Sequence, residues 1–175
     1  MKKQSGFGVL LIEMLVVAFC ILLLFSISVP SVVKLAQTNN QNDAITILRS
    51  INKSEGWFFR VYNPDGYQTP QYLANAQAGA IGTVTAQNCQ TPGLLGPQDA
   101  SVIQTGNYSG YRYVFTPGTT ATTTGPGCTS PGYISYTLVA DPISTASGTT
   151  HFFTDQTGVI RFSLSASANA GSPAW

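Results

Sequence analysis

Glu13 is the residue whose chemistry most needs explaining, because Val9 to Val29 is a run of 21 residues that is otherwise apolar apart from Ser26 and Ser28. A carboxylate at the centre of an apolar helix costs roughly 3 kcal/mol on the insertion scale, and less toward an end, so it requires a partner. Other candidates for chemistry are sparse. The single histidine, His151, sits beside Phe152 and Phe153 in a strand-like stretch, and neither a Gly-x-Ser-x-Gly motif nor paired cysteine ligands accompany it. A structural role suits it better than a catalytic one; no catalytic residue and no cofactor is expected. Asp141 and Asp155 read as turn residues that could take calcium. The oxygen-rich spacing of a calcium loop is missing, however, so no metal site is expected.

The element that must position Glu13 is a helix. Over Val9 to Val29 it would span about 32 Å at 1.5 Å per residue, enough for a hydrocarbon core of roughly 30 Å. A membrane-spanning segment is therefore expected, with Lys2 and Lys3 held on the cytoplasmic side and the rest exported. An ordinary secretory signal would lose its hydrophobic region on cleavage, whereas here that region would stay in the mature protein. Cutting after Gly8 would place a new amine on Val9, four residues before Glu13. Charges of this kind 4 Å apart attract by about 4 kcal/mol at an effective dielectric of 20, and the pairing can join neighbouring chains.

A short basic leader, a glycine, a hydrophobic first residue, Glu13 four positions after it and Pro30 twenty-one positions after it together resemble the class III signal of type IV pilins and the related type II secretion pseudopilins. The likeness covers residues 1 to about 35. Leaders of that family usually end Gly-Phe, and this chain offers that pair earlier, as Gly6-Phe7; Glu13 and Pro30 are in register only for cleavage at Gly8. Pro30 is either a plain membrane-exit proline or, by its family position, a weak point that can melt when subunits pack.

At 175 residues the chain suits one globular domain plus this anchor. Charged residues are 9% of the total and the net charge is +1; loss of Lys2 and Lys3 leaves six basic against seven acidic side chains. Such neutrality advertises no polyanion-binding surface, so nucleic acid is not an expected partner. The expected division is a leader over 1–8, a transmembrane and polymerisation helix over 9–30, an amphipathic continuation over 31–62, and a head over 63–175. Ile45, Leu48, Ile51, Glu55, Phe58 and Tyr62 recur at helical spacing, flanked by Ile47 and Val61, and Asn63-Pro64-Asp65-Gly66 closes the helix.

Residues 63 to about 107 carry many turn formers and little periodicity, with a short helix expected over Leu73 to Ala80. Tyr111 to Thr116 and Ile134 to Val139 alternate as strands, and Thr149 to Thr154 with Val159 to Leu164 read as a hairpin about Asp155-Gln156-Thr157-Gly158. Thr119 to Gly127 is low-complexity and reads as a flexible loop. The expected fold is α+β, a long helix packed on a roughly four-stranded antiparallel sheet, pilin-like. Cys89 and Cys128 fall in the exported part, where an even pair reads as a disulfide rather than two separate thiols; Cys20, in the apolar helix, reads as filler.

The resemblance implies a structural subunit, not an enzyme: a prepilin peptidase cuts between Gly8 and Val9 and methylates the Val9 amine. The subunit is stored in the inner membrane, and an assembly platform with its ATPase polymerises it into a helical homopolymer, with Glu13 meeting the Val9 amine of a neighbour. The product would be an extracellular pilus or, for the alternative of a type II secretion pseudopilin, a periplasmic pseudopilus. A binding module held by an uncleaved helix is the contrasting possibility. Intact-mass spectrometry of sheared filaments separates them: a chain starting at methylated Val9 is expected, and one retaining Lys2 and Lys3 would refute processing.

Overall fold

The computed structural model describes residues 5–63, 66–74 and 88–175, with the side chains of 5–9, 25–30, 97–98 and 100–101 outside that description. One helix, α1 (Ser5–Val61), contains 57 residues and is about 86 Å long. It begins one turn before the expected Val9 and runs through Pro30 as continuous helix. Its far end stops where the sequence indicates: the Tyr62 and Asn63 amides both donate to the Phe58 carbonyl. The Pro64-Asp65 part of the closing turn lies outside the described residues.

Five antiparallel strands follow in meander order: β1 (Asn107–Tyr108), β2 (Tyr111–Pro117), β3 (Tyr136–Pro142), β4 (His151–Asp155) and β5 (Arg161–Ser163). Four correspond to the expected strands, and β1 adds a two-residue edge. Register decides what faces the helix. Tyr113 pairs with Ala140, Ala140 with Phe152, and Phe152 with Phe162, so a small side chain sits between large ones across the sheet. Onto this surface α1 lays Ala44, Leu48, Ile51 and Phe58, each wholly buried. Full burial of one such large apolar side chain is worth about 1.5–3 kcal/mol, so the stripe is the main adhesive of the head. Ile47 joins it as expected. Val61 does not: it is exposed, being on the flank of the helix that faces away from the sheet.

The segment before the sheet is more ordered than its turn-rich composition indicates. A short helix, α2 (Pro70–Leu73), forms here because Thr69 Oγ1 accepts the Tyr72 amide and Pro70 suits the first helical position; of the helix expected over Leu73 to Ala80, residues 75–80 lie outside the described residues. An unexpected helix, α3 (Pro97–Thr105), starts from Gly96 with proline in its first turn and ends at Gly106, whose φ of 74° is a left-handed cap. Its Val102 is buried in the core.

The Thr119–Gly127 loop is not free either. Its Ala121 amide donates to the Gly132 carbonyl, and its Gly125 amide donates to Asn63 Oδ1 at 3.0 Å. A Cβ on Gly125 would lie 2.6 Å from the Tyr62 carbonyl oxygen, so only glycine lets the loop pass so close to the end of α1. At the other edge, residues 172–175 cover β5: Phe162 donates to the Pro173 carbonyl, Trp175 to that of Ile160, and the indole meets Phe152 and Phe162 edge-on at 5.1 and 5.3 Å. Backbone groups that would template another strand are thereby occupied.

Cys89 and Cys128 form a disulfide across 39 residues of sequence, with Cα atoms 5.1 Å apart. It ties the segment before α3 to the loop between β2 and β3. Replacing both cysteines by serine is expected to cost up to about 4 kcal/mol by the loop-entropy relation, measured as a lower urea midpoint with unchanged slope.

Candidate functional site

The two halves of α1 have opposite surroundings. From Ala44 onward it is half-buried on the sheet, whereas Leu10 to Leu24 project an apolar surface outward, with Leu15 68% and Leu22 67% exposed. Val32 and Leu35 continue that surface. Glu13 stands within it, exposed and flanked by Ile12 and Met14. Gly8, Val9 and Pro30 belong to the same helix, but their side chains lie outside the described residues, so no geometry joins them to Glu13 beyond helical spacing. Among the described residues no helix is long and apolar enough to cross a membrane. The expected span over Val9 to Val29 includes side chains outside that set.

The fold brings Cys89 and Cys128 together, and it groups residues that the sequence reading left apart. Asp141 is not in a turn: it is in β3, directly across from His151 in β4, and its Oδ1 lies 2.7 Å from His151 Nδ1. The second carboxylate oxygen accepts the Ser167 hydroxyl. Asp155, last in β4, accepts the amide and hydroxyl of Thr157 within its hairpin turn. Both aspartates are thus engaged by local donors. Among the described residues no three His, Cys, Asp or Glu side chains gather as a metal site would require.

A buried carboxyl was visible in the sequence only as the single charge in the helical stripe. Glu55 is wholly buried on α1; its Oε2 accepts the Gln68 backbone amide at 3.1 Å, while Oε1 and Gln68 Nε2 have no hydrogen-bond partner among the described residues. Burial raises its pKa from 4.5 to about 8, against the smaller opposing effect of the Gln68 amide, so at neutral pH the group is a carboxylic acid. Burial also raises the hydroxyl of Tyr136, which donates to Asn52 Oδ1, with Glu55 a lesser cause.

Sequence reasoning missed the residues that clamp α1 to the head. Gln37 Nε2 donates to the Thr145 carbonyl at 2.6 Å, Asn40 Nδ2 to that of Ser147 at 2.9 Å, and Gln41 Nε2 to Thr150 Oγ1 at 3.2 Å. Nearby, Ser109 donates to Asp43. The signal was present as a cluster of Gln and Asn in a helix, where Asn is a weak helix former and a ready donor. Among the described residues, an open cleft of about 410 Å³ lies along α1 beside Ser50, Lys53 and Trp57, and another of about 340 Å³ lies at the end of the sheet beside His151 and Leu164.

Compared with protein-family models, with curated proteins and with solved structures, the chain matches none. The fold defines the class: an α+β protein with a long N-terminal helix on a five-stranded antiparallel sheet, closed by a disulfide and in a pilin-like arrangement.

Glu55 generates a pH test. A raised folded-state pKa means that the folded chain holds the proton more tightly than the unfolded one. The resulting stability is fully present below 4.5 and is lost as pH climbs through about 8. Glu55→Gln should remove that dependence: relative to the parent, the variant gains several kcal/mol between acid and pH 9, read from urea unfolding of the full chain in detergent. A constant difference across the range would show that Glu55 is not held protonated by the fold.

Proposed function

We propose that the chain is a structural subunit of a type IV pilus-like filament, processed by a prepilin peptidase and polymerised through the N-terminal half of α1. One observation carries this reading: a single helix whose second half is buried on its own head while its first half, Leu10 to Leu24, holds out an apolar surface bearing one carboxylate. Apolar area of that extent needs either lipid or protein to cover it. Storage in a membrane followed by transfer into a bundle of like helices supplies both in turn. In the bundle, Glu13 takes the amine of Val9 from an adjoining copy as its counter-ion, which sets the axial offset between subunits.

The remaining features support an exported structural protein. The Cys89–Cys128 bridge suits an oxidising compartment, and it is the reason for preferring a pilin to a pseudopilin. Near-neutral charge and a Thr-, Ser- and Gly-rich head suit subunit packing. Before assembly the protein sits in the inner membrane with its N-terminus cytoplasmic; afterwards it forms part of a surface filament.

Glu13→Ala should leave cleavage and the head intact while lowering the yield of sheared filaments about tenfold or more, since an unpaired amine replaces an ion pair in a low-dielectric bundle. Yield is measured against total processed subunit by immunoblot. Parental yield from the variant would sink the reading.

A further inference from the structure

The sheet has two ends, and only one of them lies where α1 leaves the head. At that end β3 runs out through Pro142 into Ile143, and β5 runs out into Leu164; Ile143 is 57% and Leu164 66% exposed. Between them lies the cleft of about 340 Å³, walled by Pro142 and Leu164 and rimmed by the hydroxyl residues Ser144, Thr145 and Thr149. The Gln37–Thr145 bond fixes this turn to α1 two residues beyond the exposed Leu35, a rise of about 3 Å.

From these positions we propose that this end of the head, the 142–149 turn with Leu164, rests on the headgroup layer of the phospholipid bilayer that holds the subunit before assembly. The inference rests on the membrane-stored reading above. From Leu10 to Leu35 the helix extends about 38 Å, longer than a hydrocarbon core of roughly 30 Å, so when the apolar half is inserted Leu35 lies among the headgroups and the Thr145 turn at their outer boundary. A helix tilt of about 20°, the common value, lowers one side of the head further. The chemistry of the turn fits that layer. Ile143 and Leu164 supply apolar side chains that dip into the headgroup layer, and the hydroxyl rim supplies donors for phosphate ester oxygens. Lys34, exposed on α1 just below, adds a positive charge toward anionic lipid. Among the described residues the carboxylates near this turn already have hydrogen-bond donors, Asp141 in His151 and Ser167 and Asp43 in Ser109.

The opposite end of the sheet provides a matched control. Ile134, just before β3, is 58% exposed, as exposed as Ile143, but it lies beyond the start of the strand, where the neighbouring Tyr133 pairs with Tyr67 past the far end of α1. The test uses the full-length chain with Cys20→Ala, carrying one thiol at a time as Ile143→Cys, Ile134→Cys or Leu22→Cys. Each is labelled with an environment-sensitive fluorophore and placed in phosphatidylethanolamine–phosphatidylglycerol nanodiscs, one copy per disc. Nitroxides on the lipid headgroup should quench the label at 143 about twofold or more over that at 134, and blue-shift its emission, while deep acyl nitroxides quench the label at 22. Equal quenching at 143 and 134, with the label at 22 still quenched, overturns the proposal and leaves the membrane reading standing. A label at 22 that acyl nitroxides do not reach overturns both. Shielding of 143 that appears only in discs loaded with several copies assigns the surface to a second copy of the chain, and overturns the lipid contact.

Discussion

A helix of 57 residues cannot be covered by the head it belongs to, and this mismatch in length governs the molecule. Residues 63–175 fold to a body roughly 35 Å across, against about 86 Å of helix. About 50 Å is left over, close to the distance from Ser5 to the clamp at Gln37. Apolar side chains on the covered part form the core, and chemically similar ones on the uncovered part have no protein of their own chain to bury against. The same residue types therefore do two jobs according to where the head ends.

Within the head, polar groups do much of the positioning. Amides on α1 hold the β3–β4 connection, Asn63 anchors the Thr-rich loop, and Asp141 joins β4 to the Ser167 segment through His151 and the serine hydroxyl. Each contact joins residues far apart in sequence or on different strands, and the buried one, the Gly125 amide to Asn63, satisfies a donor that burial would otherwise leave costly. Glu55 is an exception: its Oε1 has no hydrogen-bond partner among the described residues, and neither does the side-chain Nε2 of Gln68. Keeping the proton is the least costly state for such a group, since a buried unpaired charge is far more expensive than a buried unpaired hydroxyl.

The legible parts of the fold were those governed by local period. The stripe from Ile45 to Tyr62, the alternation of Tyr111 to Thr116 and the hairpin about Asp155 to Gly158 each declare themselves within a short local stretch, because side-chain burial repeats at 3.6 or 2. Less legible was α3, although proline after Gly96 and the glycine at 106 mark both of its ends; its weak apolar pattern was masked by the turn formers around it. Asp141 was misplaced because an Asp-Pro pair reads as a turn from sequence alone, whereas pairing with Arg112 of β2 holds it in a strand and its side chain meets His151 of β4. The chain's ends of strands were likewise shifted: Ile134 alternates with Tyr136 and Leu138 yet lies outside β3 and faces solvent, since the partner strands stop short of it.

Sequence by itself determined the apolar segment with its lone acid, the spacing of Gly8, Val9, Glu13 and Pro30, the helix-on-sheet class and the cysteines able to bridge, because all of these are matters of residue type and near-neighbour spacing. Only the tertiary structure decided which strand faces pair, that His151 meets Asp141, that Gln37 marks where the head takes hold of the helix, and that Glu55 is sealed from water. Those outcomes depend on register and on what packs over a side chain from distant parts of the chain, and no local pattern encodes either.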